Sequence, residues 1–375
     1  MMILPKIKEV TSILNFAKKF FTKGSFRHVQ NYVAGLISVG KKSIKKISEA
    51  SKTNQQSLNY AINEAKFEKE KLEERYLKKM KFLFKNAKVF LILDDTLVER
   101  NGKKIESTQK HFDHNSNNYV NGHQFFTAIF CIGFLQIPIF PELYSKETDS
   151  KIEMAKNLVD KMINSKIKID TYLFDSWYSD KDLIKKCREK SRVICAVKSN
   201  RNIFIGRSNK ERKVSFIRER LISQKLRKCF VEDKTYFVFE KEARLNKVPE
   251  VKFLISEIEN QKINLISTNK KDSAEEIIMA YKIRWKIETY HRDIKQNLGF
   301  AKAFLRRRNG IVCHAIFVAI AHAVLNLFMF RQGIQMTVGE CCKYLREKSE
   351  NNLVKKIVEV EDKSERMKRF EEAFI

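Results

Sequence analysis

The sequence has 375 residues, 43% of them hydrophobic, and its 74 Lys+Arg against 45 Asp+Glu give a formal net charge of +29. A chain of this length can bury a large core and would fold as two or three domains. So large a basic excess favours nucleic acid as a partner, ahead of an anionic membrane surface. The seven cysteines are odd in number and lack zinc-site spacing, which points to the inside of a cell.

Residues 1–85 are predicted to be mostly helical and basic. Apolar and basic residues alternate at helical spacing over residues 26–47. One interpretation is a small helical DNA-binding domain in which four lysines hold backbone phosphates: Lys41, Lys42, Lys45 and Lys46. The alternative, equally open at this point, is a basic helical platform packed against the rest of the protein.

From residue 86 to residue 200 the pattern changes to alternating strands and helices. Apolar runs predict strands at 89–93, 124–132, 133–140, 172–174 and 193–197, and helical periodicity predicts helices at 152–163 and 179–190. This order predicts an α/β fold, with a sheet of mixed strand direction flanked by helices.

Aspartates stand at the ends of two of these predicted strands. Asp94 and Asp95 follow the first run, and Asp175 follows the run at 172–174. Carboxylates at the ends of neighbouring strands can converge on a hard divalent cation such as Mg²⁺, which prefers oxygen ligands. A single aspartate in this setting is more often a turn or helix-capping residue, so the interpretation depends on further motifs.

A basic insertion follows over residues 201–260. Its first half is rich in Lys and Arg, and residues 229–240 and 251–257 have the composition of strands. The insertion is either a β-rich surface that contacts DNA or a solvated excursion of the chain.

Four reactive side chains then share one face of a helix predicted from residue 281 onward. At about 100° per residue, Tyr281, Arg284, Glu288 and Lys295 fall within a stripe about 60° wide. A carboxylate among cationic and hydrogen-bonding groups suits an anionic substrate held near a metal. On spacing alone, a solvated amphipathic helix with an Arg284–Glu288 pair is the commoner explanation.

Residues 311–330 carry no formal charge and are long enough to span a bilayer. The segment contains His314, His322 and Asn326, each costly in lipid, and no second such segment exists. We therefore predict a buried helix against the sheet, with the two histidines as satisfied core residues rather than ligands. Residues 336–375 are predicted to form a polar helical tail.

The Y-x2-R-x3-E-x6-K spacing of the residue 281 helix resembles the signature of the IS4-type family of DDE transposases. The resemblance extends to Asp-x-Thr at Asp94 and Asp-Ser-x-Tyr at Asp175, with smaller pieces at residues 122–124, 197–201 and 265–269. It spans roughly residues 26–330. The family pattern aligns with Asp94, whereas Asp95 would point to the opposite side of a continuing strand, so we prefer Asp94 and keep Asp95 as the alternative.

The resemblance implies an RNase H-like catalytic core in two parts, residues 86–200 and 261–335. The β-rich insertion at 201–260 separates these parts, and the helical domain at 1–85 and the tail at 336–375 flank them.

The resemblance also implies a catalytic and metal-binding triad of Asp94, Asp175 and Glu288, with Mg²⁺ as the cofactor and Mn²⁺ able to substitute. Tyr281, Arg284 and Lys295 would hold DNA phosphates.

The implied activity is cleavage at the terminal inverted repeats of an insertion sequence, followed by strand transfer into target DNA. A homodimer would act on double-stranded DNA in the cytoplasm, associated with the nucleoid and without a membrane partner. Two alternatives share these motifs: a catalytically inactive DNA-binding derivative that represses transposition, and a nuclease of the same fold that cuts without joining.

Overall fold

A computed structural model describes residues 8–374 except 65–66, 103, 114–115, 208, 221–225, 260 and 361. The described N-terminal residues are mostly helical and include α1 (Lys8–Leu14), α2 (Lys23–Ser38), α3 (Ile44–Ser51), α4 (Gln55–Asn63) and α5 (Lys69–Lys81). Side-chain oxygens of Thr22, Ser43 and Asn54 accept hydrogen bonds from backbone N–H groups at the starts of α2, α3 and α4. Such caps fix where each helix begins, because the first N–H groups have no partner inside the helix.

The described residues after α5 are built around one sheet, in which 13 strands are assigned. Its first strands are β1 (Phe90–Glu99), β2 (Gln109–Asp113), β3 (Asn118–Ile132), β4 (Leu135–Pro138), β5 (Glu142–Leu143), β6 (Thr171–Phe174) and β7 (Arg192–Ala196). The later strands are β8 (Asn202–Ile205), β9 (Glu211–Lys213), β10 (Arg227–Val231), β11 (Lys234–Leu245), β12 (Val248–Ile258) and β13 (Gln261–Ser267).

At the centre of the sheet β1 lies between β3 and β6. It pairs antiparallel with β3 and parallel with β6, and β6 pairs parallel with β7. Helices α6 (Lys151–Asn164) and α7 (Lys181–Arg188) lie between these strands in the sequence. Leu91, Ile92 and Leu93 are fully buried, so the middle of β1 belongs to the core. The predicted α/β fold with a mixed sheet and flanking helices is confirmed.

The first predicted strand is longer than its apolar run. β1 continues through Asp94 and Asp95 to Glu99, because Asp94 to Glu99 pair with residues of β3 from Thr127 to Gly122. The aspartates therefore lie inside a strand, with their side chains on opposite faces of it.

The insertion extends the central sheet. β13 pairs with β7, β12 with β13 and β11 with β12, so strands within residues 201–260 continue the core sheet outward. The single strand predicted at 229–240 is wrong: β10 and β11 form a hairpin around Glu232, which has a φ of 55°. A short helix, α8 (Val214–Glu219), precedes the hairpin, and residues 221–225 lie outside the described part.

Two consecutive helices replace the single helix predicted from residue 281. α9 (Ala274–Lys282) ends before Arg284, and α10 (Trp285–Gln296) begins directly after it. The N–H groups of Ile283 and Arg284 bond to the carbonyls of Ala280 and Tyr281, three residues back instead of four. This tighter turn ends the regular helix and places Tyr281 on a different helix from Glu288 and Lys295.

The apolar segment forms the middle of α11 (Arg308–Gln332). This helix has the length and hydropathy of a membrane span, but 94% of its most apolar window is buried inside the protein. It packs on β4 and on α2, with His314 and His322 in the core. The prediction of a buried core helix is confirmed. Helices α12 (Val338–Val358) and α13 (Lys363–Phe374) follow.

Candidate active site

Asp94 lies within β1, and Asp175 directly follows β6, the adjacent parallel strand. Leu93 of β1 pairs with Phe174 of β6. Asp94 and Asp175 are the residues that follow this pair and therefore lie side by side. The carboxylate of Asp175 accepts hydrogen bonds from the N–H groups of Trp177 (2.9 Å) and Tyr178 (3.2 Å), which hold it at the start of the following turn. Burial and the charge of Asp175 raise the pKa of Asp94 to about 7.

Asp95 is held by a different set of side chains on the opposite face of β1. Its Oδ1 accepts from the Lys151 ammonium and from the Tyr178 hydroxyl, each at 3.0 Å, and its Oδ2 accepts from the Gln124 amide. The Lys151 ammonium also lies 4.0 Å from the centre of the Trp177 ring. With both oxygens bonded in this way, Asp95 ties β1 to β3, α6 and the Asp175 turn.

Arg284 connects the third predicted carboxylate to the first. Its guanidinium donates to the Glu288 carboxylate at 2.6 Å and lies 3.7 Å from Oδ2 of Asp94. The side chain is only 10% exposed, whereas that of Glu288 is 40% exposed. The structure thus brings Asp94, Arg284 and Glu288 together, with the arginine between the two carboxylates.

A second link between α10 and β1 was not predicted. The Thr127 hydroxyl donates to the backbone carbonyl of Asp94 at 3.0 Å and lies 2.8 Å from Nε2 of His291. Because the hydroxyl has one proton, it must accept its second bond from an Nε2–H group, which fixes the imidazole tautomer. Burial lowers the pKa of His291 to about 3, so the ring is neutral.

The other predicted DNA-binding residues near the site differ in accessibility. Tyr281 is buried, at 7% exposure, and lines a hollow beside Asp175. Lys295 is half-buried, and burial lowers its pKa. Two tryptophans near the site were not among the predicted residues: Trp177 is 38% exposed and Trp285 is 59% exposed.

The four N-terminal lysines are not equivalent. Lys41, Lys45 and Lys46 are exposed, and Lys46 pairs with Glu49 at 2.7 Å. Lys42 is only 8% exposed, its ammonium donates to the Ile37 carbonyl at 3.2 Å, and burial lowers its pKa to about 8. Its stem packs against Gly299, which places it inside the protein and away from a DNA backbone.

No three His, Cys, Asp or Glu side chains within the described ranges are arranged to hold a metal ion. The pair of Asp94 and Asp175 nevertheless fits a hard divalent cation, since both offer carboxylate oxygens and their mutual repulsion favours a cation between them. A cationic group already lies between Asp94 and Glu288, namely the Arg284 guanidinium. Glu288 would have to leave Arg284 to become a third ligand.

Several side chains of the site were not predicted from the sequence. Gln124 and Tyr178 belong to short pieces that resemble the transposase family, yet nothing in the sequence indicated that both would bond to Asp95. Thr127 could be found only through its strand register, because it is the residue directly opposite Asp94 on β3. Its partner His291 stands one helical turn after Glu288, a spacing that carries no signal alone.

Two family models match the sequence. Residues 15–215 match the DDE superfamily endonuclease family, and residues 144–336 match the family described as archaeal putative transposase ISC1217. No curated protein matches the chain. The mixed sheet flanked by helices is consistent with the RNase H-like fold of DDE enzymes. The first match includes Asp94 and Asp175 and covers more than half of the chain, and the protein therefore belongs to the DDE superfamily of endonucleases.

Proposed function

We propose that the protein is the transposase of an insertion sequence, of the IS4 type, which cuts DNA at the ends of its element and joins them to target DNA. The main support is that Asp94 and Asp175 lie side by side on neighbouring parallel strands, and that Arg284 links Glu288 to Asp94. The two family matches and the net charge of +29 agree with an enzyme that acts on DNA.

Asp94, Asp175 and Glu288 are the proposed catalytic carboxylates, and Mg²⁺ or Mn²⁺ is the proposed cofactor. Asp94 is preferred to Asp95 because both oxygens of Asp95 are bonded to Lys151, Tyr178 and Gln124. A bound divalent cation supplies Lewis-acid stabilisation of the negative charge that develops on the transferred phosphoryl group.

Water attacks the phosphorus at the element end, the bond to the 3′ oxygen breaks, and a 3′-OH and a 5′-phosphate result. The 3′-OH then attacks a phosphodiester of the target, which forms one P–O bond and breaks another.

Positively charged side chains around the carboxylates would hold the DNA. Arg284 is placed to exchange its carboxylate contacts for a phosphate, because a guanidinium fork binds either group through paired hydrogen bonds. Tyr281 and Lys295 complete the proposed phosphate contacts beside the cut. We propose a helical DNA-binding region at residues 1–85, whose surface contacts are Lys41, Lys45 and Lys46. Lys42 is left out of this set because it is buried.

The remaining assignments follow from the same proposal. We assign residues 86–200 and 261–335 to the catalytic core, 201–260 to a DNA-contacting insertion and 336–375 to a helical tail. The bound state would be a homodimer on two inverted repeats, and the enzyme would work in the cytoplasm on the nucleoid.

The test is an end-cleavage and joining assay with the gene's own flanking DNA and a target plasmid, with and without Mg²⁺ or Mn²⁺. Wild type is compared with Glu288→Gln, Asp94→Asn and Asp95→Asn, and DNA binding is measured in parallel. We expect Glu288→Gln and Asp94→Asn to abolish cleavage and joining while they retain binding, and Asp95→Asn to keep residual activity.

Other outcomes identify the alternatives. Binding without cleavage by the wild type in either metal would replace the proposal with a DNA-binding derivative, and cleavage without joining would replace it with a nuclease. Full activity of Glu288→Gln would remove that residue from the catalytic set. Loss in Asp95→Asn together with activity in Asp94→Asn would reverse the assignment of the first carboxylate.

A further inference from the structure

Two hollows lie beside the turn that follows Asp175, at the ends of β6 and β7. The first has a volume of about 670 Å³ and lies between the loop after β7, the start of β13 and α8. The second has a volume of about 660 Å³ and lies over the turn after Asp175. Both are lined by Ser176, Lys198 and Asn200, so the two hollows share a wall.

The first hollow is basic and contains a polar group without a partner. Its lining includes Lys198, Arg218 and Lys262, and among the described residues that line it Asp175 is the only acidic one. Lys262 pairs with Glu257 at 3.3 Å, whereas no acidic partner of Lys198 or Arg218 is found in the described part of the chain. Asn264 is 6% exposed and donates to the Val197 carbonyl at 3.4 Å, while its buried Oδ1 has no hydrogen-bond partner.

The second hollow contributes an aromatic surface. Trp177 lines it and is 38% exposed, with Lys151 stacked over the ring. Arg201 and Lys181 line the same hollow, together with Asp180 and Glu211. The carboxylate of Asp180 is occupied by the N–H groups that it caps at the start of α7.

A positively charged groove beside an exposed aromatic ring is the combination that binds unpaired nucleic acid, since phosphates contact the cations and bases stack on the ring. Each hollow has the volume of a small-ligand pocket, which suits about one or two nucleotides of a single strand. Neighbouring strands are about 4.8 Å apart, so the edge from β1 to β13 spans roughly 14 Å. At about 3.4 Å or more per nucleotide, this edge accommodates two to four nucleotides of one strand.

We propose that these two hollows form a track for an unpaired DNA strand that continues from the phosphate to be cut beside Asp94 and Asp175. Lys198 and Arg218 contact its backbone, Asn264 accepts a hydrogen bond from a base, and Trp177 offers a stacking surface. This inference rests on the proposed function for the identity of the strand. It adds that the protein binds DNA with unpaired nucleotides at the cleavage point more tightly than blunt duplex.

The test is fluorescence anisotropy with the full-length protein in EDTA, so that no cleavage takes place. Three labelled duplexes of equal length are compared: one blunt, one with a four-nucleotide 3′ overhang and one with a four-nucleotide 5′ overhang. The double variant Lys198→Ala/Arg218→Ala and the single variant Asn264→Ala are measured beside the wild type. The matched control is Lys343→Ala/Lys355→Ala, which removes two exposed lysines of α12.

We expect the wild type to bind one overhang substrate at least about fivefold more tightly than the blunt duplex. The double variant should lose this preference and keep its blunt-duplex affinity within about twofold. Its slope of log affinity against log salt on the overhang substrate should fall by about 1.4, at about 0.7 for each single-strand phosphate contact. Asn264→Ala should lose part of the preference without a change of slope, and the control should behave as the wild type.

Equal binding of all three DNAs by the wild type would overturn the track, as would an unchanged preference in the double variant. A uniform loss of affinity for all three DNAs would also overturn it, since Lys198 and Arg218 would then contact duplex. Because binding is measured without metal, the result does not depend on catalysis. If the protein prefers the overhang but never cleaves DNA, the track stands and the transposase proposal fails. If the enzyme is active but shows no preference, the transposase proposal stands and the track fails.

Discussion

Acid pH should destabilise the protein through His314. This histidine is fully enclosed between α2 and the turn after α10: its Nδ1 lies 2.9 Å from the Tyr32 hydroxyl and its Nε2 lies 3.2 Å from the Gly299 carbonyl. The carbonyl can only accept, so Nε2 carries the proton and Nδ1 accepts from Tyr32. Burial raises the pKa of Tyr32, so its hydroxyl stays protonated as the donor. A second proton on the imidazole would remove that acceptor.

The size of the effect follows from the pKa of His314, which burial lowers from 6.5 to about 4. The unfolded chain binds a proton near pH 6.5 and the folded protein does not, so stability is complete above that pH and falls as the pH approaches 4. At about 1.4 kcal/mol per pKa unit, the loss attributable to this residue is about 2 kcal/mol between pH 7 and pH 5, and about 3 kcal/mol at pH 4.

The assay is urea unfolding of the wild type and His314→Gln at pH 7 and pH 5. Glutamine also has one acceptor and one donor group but does not titrate, and the other buried histidines are common to both proteins. The wild type's advantage over the variant in unfolding free energy should shrink by about 2 kcal/mol from pH 7 to pH 5. An equal difference at both pH values would refute the reasoning, because it would mean that His314 takes up its proton in the folded protein as easily as in the unfolded chain.

Three further changes test contacts in the core and beside the site. Gly299→Ala should lower the free energy of unfolding by more than about 1 kcal/mol. Residue 299 has a φ of +76°, and the new methyl group would lie 2.5 Å from Cβ of Lys42. Thermal unfolding measures the loss, and an unchanged melting temperature would contradict the packing. Lys161→Met should lower the free energy of unfolding by about 3 kcal/mol at pH 8 and by less at pH 5. The reason is that Glu73 is 6% exposed, burial raises its pKa, and Lys161 is its cationic partner at 2.7 Å. An equal loss of stability at both pH values would count against this pairing. Thr127→Val should lower the free energy of unfolding by about 1–2 kcal/mol and slow metal-dependent cleavage, because it removes the bonds to Asp94 and His291. Thr127→Ser keeps the hydroxyl and should restore both the stability and the cleavage rate. Full activity of the valine variant would show that the link to His291 does not position the site.

The sequence determined the main elements and the order of the chemical motifs. Alternating apolar runs and helical periodicity were enough to predict an α/β fold, because burial of one face sets the period of each element. They also placed the apolar helix in the core, since His314, His322 and Asn326 find partners in a protein interior and would find none in lipid. Of the predicted site residues, Asp94 lies beside Asp175 on the neighbouring strand and contacts Arg284, which pairs with Glu288, while their roles stay predictions.

Only the tertiary structure decided which side chains those residues contact. The pattern around Asp94 and Asp95 could not show that Lys151, Tyr178 and Gln124 all bond to Asp95, because these partners lie far apart in the sequence and meet only through strand pairing. In the sequence nothing distinguishes Lys42 from the neighbouring lysines at 41, 45 and 46. Its burial depends on contact with Gly299, more than 250 residues later in the chain. Local periodicity records which face of an element is buried, while the partner of a buried polar group is set by long-range packing.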